Sequence, residues 1–244
     1  MGKAAIDFRC PSEGSSATRS VAVPPVIGKA RVPCIREPIF KRPFDVCLAA
    51  IGLFLSLPLW GIFSVWIWIE DGPPIFFRQW RMGRGGTLFG SLKFRSMIKD
   101  PTRMEVQATR NDPRITRVGR LLRKTAMDEL PQAWNILMGD MSFVGPRSQP
   151  EKEIVRVGGK EKELNIRDVP GFAIRQLVRP GLTGVAQLFA PREVAHRCKF
   201  RYDLIYVKRI MRSQGVRDDI RLLFYDAGLI LRSVWTTLTW RWEV

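Results

Sequence analysis

The most pronounced pattern in the chain is an unbroken apolar run. From Phe44 to Ile69 it reads FDVCLAAIGLFLSLPLWGIFSVWIWI, with one charged residue, Asp45, at its start. As a straight helix this run would extend about 39 Å, against about 30 Å for the hydrocarbon core of a bilayer. Two features argue against a simple crossing. Pro58 lies near the middle, where it removes a backbone donor and crowds the carbonyl of Phe54. Lys41 and Arg42 precede the run and Arg78, Arg81 and Arg84 follow it, so the positive-inside preference keeps both flanks on the cytoplasmic side. The favoured reading is a re-entrant hairpin that breaks at Ser56 and Pro58, with the Ser56 hydroxyl serving a carbonyl freed at the break. A tilted span and a buried core helix are the alternatives. Trp60, Trp66 and Trp68 suit an exit at headgroup level.

Beyond the run the period shortens. IFFRQWRMG predicts a strand and TLFGSLKFRSM its hairpin partner, joined by a Gly-rich loop. Lys93 and Arg95 alternate with Leu92 and Phe94, giving one basic and one apolar face. Residues 99–113 are polar and predict a loop. From Ile115, the residues Val118, Leu121 and Leu122 have helical spacing, with Arg117, Arg120 and Lys124 opposite. With Asp128 as N-cap, a next helix runs to about Met138 and ends at Gly139. MSFVGPR and LVRPGLTGVAQL share a format of short apolar strand and turn, carrying Arg147 and Arg179. From Arg201 the pattern is helical. Ile220, Leu223, Phe224, Ala227 and Ile230 share a face that Val234 and Trp235 continue. With Trp240 and Trp242 beyond, this helix reads as lying in a membrane interface, or else as a core helix with a frayed tail.

Charge narrows the partners. The 244 residues carry a formal net charge of +17, which implies polyanionic company: nucleic acid, phosphorylated small molecules or anionic lipid. The apolar run favours the last two, and no base-reading motif argues for nucleic acid. The four cysteines show neither CxxC nor zinc spacing and read as reduced thiols. The single histidine, His196, cannot build a His-rich metal site. Residues 1–36 mix Gly, Ser, Pro, Arg and Glu without a signal peptide and predict a disordered leader.

The candidate chemistry lies in RVGRLLRKTAMDELPQAWNILMGDMSFVGPR, where Asp128 and Glu129 follow Arg114, Arg117, Arg120, Arg123 and Lys124. Paired carboxylates beside cations suit phosphoryl chemistry. The carboxylates hold a divalent metal or attack phosphorus, and the cations hold phosphate oxygens. Arg123, Arg147 and Arg179 around one acidic pair suggest a convergent anion pocket. The plainer reading makes Asp128 a helix cap and Glu129 a complement to the helix dipole.

Several long motifs in order, from KRPFD through FFRQWRMGRGG, LKFRSM, DPRITRVGRLLRKTAMDELPQAWNILMGDMSFVGPR and VRPGLTGVAQL to KFRYDLIYV, resemble the bacterial sugar transferase family over roughly Lys41 to Leu223. These are monotopic polyprenyl-phosphate hexose-1-phosphate transferases, or phosphoglycosyl transferases. The resemblance implies transfer of a sugar-1-phosphate from a UDP-sugar to a polyprenyl phosphate such as undecaprenyl phosphate, an early membrane step in exopolysaccharide, capsule, O-antigen or glycoconjugate synthesis. It implies Asp128 as the nucleophile of a covalent phosphosugar intermediate. It also implies Mg²⁺ at Asp128 and Glu129, and substrate phosphate on Arg123, Arg147 and Arg179.

The expected fold class is α+β: a small, mostly helical membrane-associated catalytic domain with a re-entrant membrane helix hairpin and short β-hairpin elements. The expected divisions are a leader 1–36, a membrane hairpin 37–72, a cytosolic catalytic domain 73–215 and an amphipathic interfacial helix 216–244. The expected location is the cytoplasmic face of a bacterial inner membrane, with membrane lipid as a partner, no nucleic acid, and homodimerisation left open. The competing class is a non-enzymatic adaptor that binds anionic lipid through its charge.

Overall fold

The computed structural model describes residues 35–98, 112–157, 160–191 and 196–239. The predicted leader, most of the loop at 99–113, and Trp240 and Trp242 lie outside the described residues. The described part mixes helices with three small two-stranded sheets and contains one long apolar helix.

That helix, α1 (Lys41–Asp71), runs through Pro58 without interruption. A proline removes one hydrogen bond, which leaves the bonds on either side free to carry the helix on. The side chain expected to serve the break does something else. Ser56 Oγ donates to the carbonyl of Leu53 at 3.1 Å, not to that of Phe54, and accepts Trp60 Nε1 at 3.2 Å. Phe54 and Leu55, at 74% and 70% exposure, face outward in the middle of the helix.

Both ends of α1 are tied to the same body. At its start, Lys41 Nζ pairs with Asp226 at 2.7 Å, and the Asp45 carboxylate accepts the backbone N–H of Phe143 at 3.2 Å. Arg42 donates to the carbonyls of Ile136 and Leu137 at 2.5 and 2.7 Å, at the C-terminal end of a short helix where a cation complements the dipole. At the far end, the Glu70 carboxylate accepts the N–H groups of Arg117 and Val118 at 2.6 and 2.8 Å. Arg95 donates to the carbonyls of Asp71 and Gly72 at 3.0 and 2.5 Å.

The predicted hairpin follows. β1 (Phe76–Met82) pairs antiparallel with β2 (Leu88–Phe94), from Phe76 opposite Phe94 to Met82 opposite Leu88. Phe94 packs with Phe63 and Ile67 of α1 and with Val118 and Leu122 of α2 (Arg117–Lys124). Thr116 caps α2 by accepting the N–H of Gly119 at 2.9 Å. Gly119 lies against the backbone of Ser96, where an added Cβ would meet the Ser96 carbonyl oxygen at 2.0 Å. Gly119→Ala is therefore expected to destabilise the fold by about 3 kcal/mol, the upper end for overpacking, because the obstacle is backbone. A urea unfolding midpoint equal to that of the parent chain would refute this close fit.

The chain continues through α3 (Gln132–Met138), which ends at Gly139 in the left-handed region as expected. β3 (Ser142–Val144) pairs in parallel with β6 (Gly181–Thr183), so the two turns of similar format lie side by side. Between them come the antiparallel pair β4 (Lys152–Val157) and β5 (Lys160–Asn165), and the short α4 (Phe172–Arg175). After β6 come α5 (Val185–Phe189), α6 (His196–Arg212) and α7 (Val216–Leu238). The main core joins Val144, Val178 and Val185 to Tyr206, Val207 and Ile210 of α6 and to Leu222 and Leu229 of α7.

α7 turns a stripe that includes two aspartates inward and leaves part of its apolar face outward. Asp219, Leu222, Asp226 and Leu229 are buried, while Ile220, Phe224, Val234 and Trp235 are exposed. Buried polar partners set this rotation: Asp226 bonds Lys41 and Tyr206, and Asp219 accepts from Ser213 and from the N–H of Ile39. Cys198 is disulfide-bonded and Cys47 is free, so the expectation of four reduced thiols does not hold.

Candidate active site

The acidic pair does not open a helix. Met127, Asp128 and Glu129 form a 3-10 turn, and the cap position of α3 falls to Pro131. The turn is entered through Ala126 at φ 55°, a left-handed conformation that an L-residue adopts only at some energetic cost. This bend after α2 directs the pair toward β2.

Lys93 on β2 meets it. Its Nζ lies 2.5 Å from Glu129 Oε1 and 3.9 Å from Asp128 Oδ2. Arg147, which follows β3, approaches Glu129 Oε1 at 3.3 Å. Arg123 donates through Nε to Ser96 Oγ at 2.8 Å, and its charge acts on Asp128. Asp128 is 9% exposed, and among the described residues its carboxylate accepts no hydrogen bond. These groups share the wall of one cavity of about 1590 Å³.

The two carboxyls are held differently. Burial pushes Asp128 up, Lys93 pulls it back in part, and the neighbouring Glu129 charge pushes it up again. Burial also acts against ionised Glu129, but Lys93 and Arg147 outweigh it and hold this carboxyl well below the usual range. Glu129 is thus a committed anion, whereas Asp128 is a buried, more basic carboxylate with an unblocked lone pair.

The set fits Mg²⁺ in its substrate-dependent mode. Mg²⁺ takes one or two carboxylates, keeps waters and draws its remaining ligands from phosphate oxygens. Glu129 Oε1 is occupied by Lys93 and Arg147, while Asp128 keeps both oxygens free of hydrogen bonds. Among the described residues no cluster of three or more His, Cys, Asp or Glu forms a self-sufficient cage.

Of the residues named from sequence, Asp128, Glu129, Arg123 and Arg147 come together around this cavity. Arg179 is placed elsewhere. It donates to the Gly139 carbonyl at 2.9 Å and pairs with Glu37, and it does not line the cavity. Arg179 therefore does not join the other four around the cavity: its guanidinium is engaged by Gly139 and Glu37. Lys93 was missed as a site residue, although its place as a charge alternating with Leu92 and Phe94 was a usable signal. Arg175 and Asp203 were missed too. Their fully buried ion pair is 2.7 Å long, and Arg175 donates to the Arg147 carbonyl at 2.6 Å, fixing the backbone that carries Arg147. Burial pushes Asp203 up to about 6 despite the Arg175 charge.

Residues 36–233 match the family described as bacterial sugar transferase. The chain is 35% identical over 208 residues to a UDP-galactose-lipid carrier transferase of Erwinia amylovora, covering 79% of this chain and 40% of that protein. It is 33% identical over 205 residues to a UDP-glucose:undecaprenyl-phosphate glucose-1-phosphate transferase of Klebsiella pneumoniae, covering 81% and 42%. It is 35% identical over 194 residues to the exopolysaccharide production protein PSS of Rhizobium leguminosarum, covering 76% and 92%. The chain thus spans about two fifths of the length of the first two and nearly all of the third. With the match extending over most of its length and over nearly all of a relative of similar size, this chain belongs to the bacterial sugar transferase family.

Proposed function

We propose that the chain is a phosphoglycosyl transferase that moves a sugar-1-phosphate from a UDP-sugar to undecaprenyl phosphate through a covalent intermediate on Asp128. The observation that carries this reading is the buried Asp128 carboxylate, free of hydrogen bonds, beside a cation-paired Glu129 in a large cavity. An Asp128 oxygen attacks the phosphorus that bears the sugar. The bond from that phosphorus to the oxygen of the departing UMP breaks, and an aspartyl phosphosugar forms. A phosphate oxygen of the acceptor lipid then attacks the same phosphorus, releasing Asp128 and giving a polyprenyl diphosphate sugar. Arg123, Arg147 and Lys93 stabilise the charge that moves onto phosphate oxygens at each step. Asp128 and Glu129 are the residues that would hold Mg²⁺, which when bound neutralises diphosphate charge. An anionic-lipid adaptor explains the charge of +17 but gives no reason to bury two carboxylates with a lysine.

The test is release of UMP from UDP-galactose, UDP-glucose or UDP-N-acetylgalactosamine, dependent on both Mg²⁺ and undecaprenyl phosphate. Absence of release with a full panel of UDP-sugars refutes the reading.

The same proposal sets the outward apolar side of α1 into the bilayer from the cytoplasmic face, with both helix ends on that side. Its support is the attachment of both helix ends to one body, with the outward-facing apolar residues between them. Single cysteines at the exposed Ile39 and Thr87 are expected to react with an impermeant reagent in inverted vesicles and not in intact cells. Labelling of the two positions from opposite faces would establish a crossing.

A further inference from the structure

The inward stripe of α1 has a gap. Asp45, Ala49, Ser56, Phe63 and Ile67 are buried at helical spacing against the domain. Gly52 falls at that spacing, three residues after Ala49 and four before Ser56, but it is exposed, and an added Cβ there would meet nothing within 4 Å. The gap is part of the cavity that holds the acidic pair: Gly52 and Ser56 line it from the helix, and Leu130 and Ala133 line it from the domain, next to Asp128 and Glu129. Phe54 and Leu55, immediately beyond Gly52, face outward. One continuous space therefore runs from the outward apolar middle of α1 to a pocket with Lys93, Arg123 and Arg147.

We propose that this gap admits the phosphate-proximal isoprene units of the acceptor lipid, so that its phosphate reaches Asp128 while its tail leaves between α1 and the domain. The inference rests on the proposed transferase reaction. Two chemistries meet in one cavity, cationic at the dyad and small or apolar at Gly52, Leu130 and Ala133. A nucleotide or sugar fits the first and not the second. An amphiphile with a phosphate head and a thin hydrocarbon tail fits both. The missing side chain at Gly52 is what leaves room for the tail.

Gly52→Leu tests this, because leucine is a better helix former than glycine and the structure offers it open space. The chain in detergent with undecaprenyl phosphate is expected to show a KM for that lipid raised by about tenfold, the loss expected when roughly two methylene groups are kept from apolar contact. Gly52→Ala should raise it less. Exchange of labelled UMP into the UDP-sugar, which needs no acceptor, is expected to run at the parent rate in both variants. An unchanged KM in Gly52→Leu overturns the inference, and so does a rise produced by Val234→Trp, on the α7 side of the cavity, in its place. Exchange lost together with transfer also overturns it, since Gly52 would then matter to the first step. A parent chain that neither exchanges nor transfers refutes the transferase reading itself, and this inference with it.

Discussion

Asp128→Asn is expected to leave membrane association intact and to reduce sugar-phosphate transfer by on the order of a thousandfold or more, because the amide keeps the shape but cannot form the acyl phosphate. The fold should not suffer. The folded-state pKa of Asp128 is raised above its unfolded value, so its charge opposes folding once the pH exceeds that unfolded value. Removing the charge leaves stability at neutral pH equal or higher. The expected signature is a thermal midpoint at or above that of the parent, with no phosphosugar adduct on the peptide containing position 128. Turnover near the parent rate would end the covalent assignment.

Lys93→Met should harm both activity and stability. It leaves Glu129 with Arg147 as its remaining partner and Asp128 without its nearest cation. Breaking a buried pair by removing one member typically costs 3–5 kcal/mol, and the persistence of Arg147 places this case at about 3 kcal/mol. The pH dependence gives a sharper check. Glu129 has a folded pKa below its unfolded value, so its contribution to stability is present above roughly pH 4.5 and is lost as the pH falls through the folded pKa. Lys93 is a main source of that contribution. The stability gap between parent and variant should be widest at neutral pH and narrow on acidification, and the acid limb of the activity profile should move to higher pH. A gap that is constant with pH would show that Lys93 acts by packing alone.

The elements that could be read from sequence are those set by local periodicity. The β1–β2 hairpin follows from alternation on either side of a glycine-rich loop, and the end of α3 at Gly139 follows from a residue that accepts the left-handed region. The acidic pair and Arg123 were legible because they sit within one short stretch. What failed depended on distant partners. Nothing local marks Ala126 for a positive φ, so the 3-10 turn that replaces the expected cap could not be foreseen. The place of Arg179 is tied to Gly139 and Glu37, 40 and 142 positions away, partners that only the fold supplies. The apolar face of α7 follows from periodicity, but the stripe it turns inward is fixed by buried aspartates that apolar periodicity does not mark. Pro58 does not end α1, since the helix tolerates the loss of one bond when its neighbours hold.

The clamp on the start of α1 has a consequence for biogenesis. Lys41 and Asp226 are separated by 185 positions, so the most buried tether of the helix cannot close until all of those intervening residues have followed Lys41 out of the ribosome. The greasy segment emerges early and the acid that anchors it emerges late. Closure of so long a loop is entropically slow. Until it closes, Lys41 has as its local partner only Asp45, one turn on at 3.9 Å. Truncation just before Asp226 should therefore yield a product in which the start of α1 is untethered, seen as faster proteolysis than that of the parent chain.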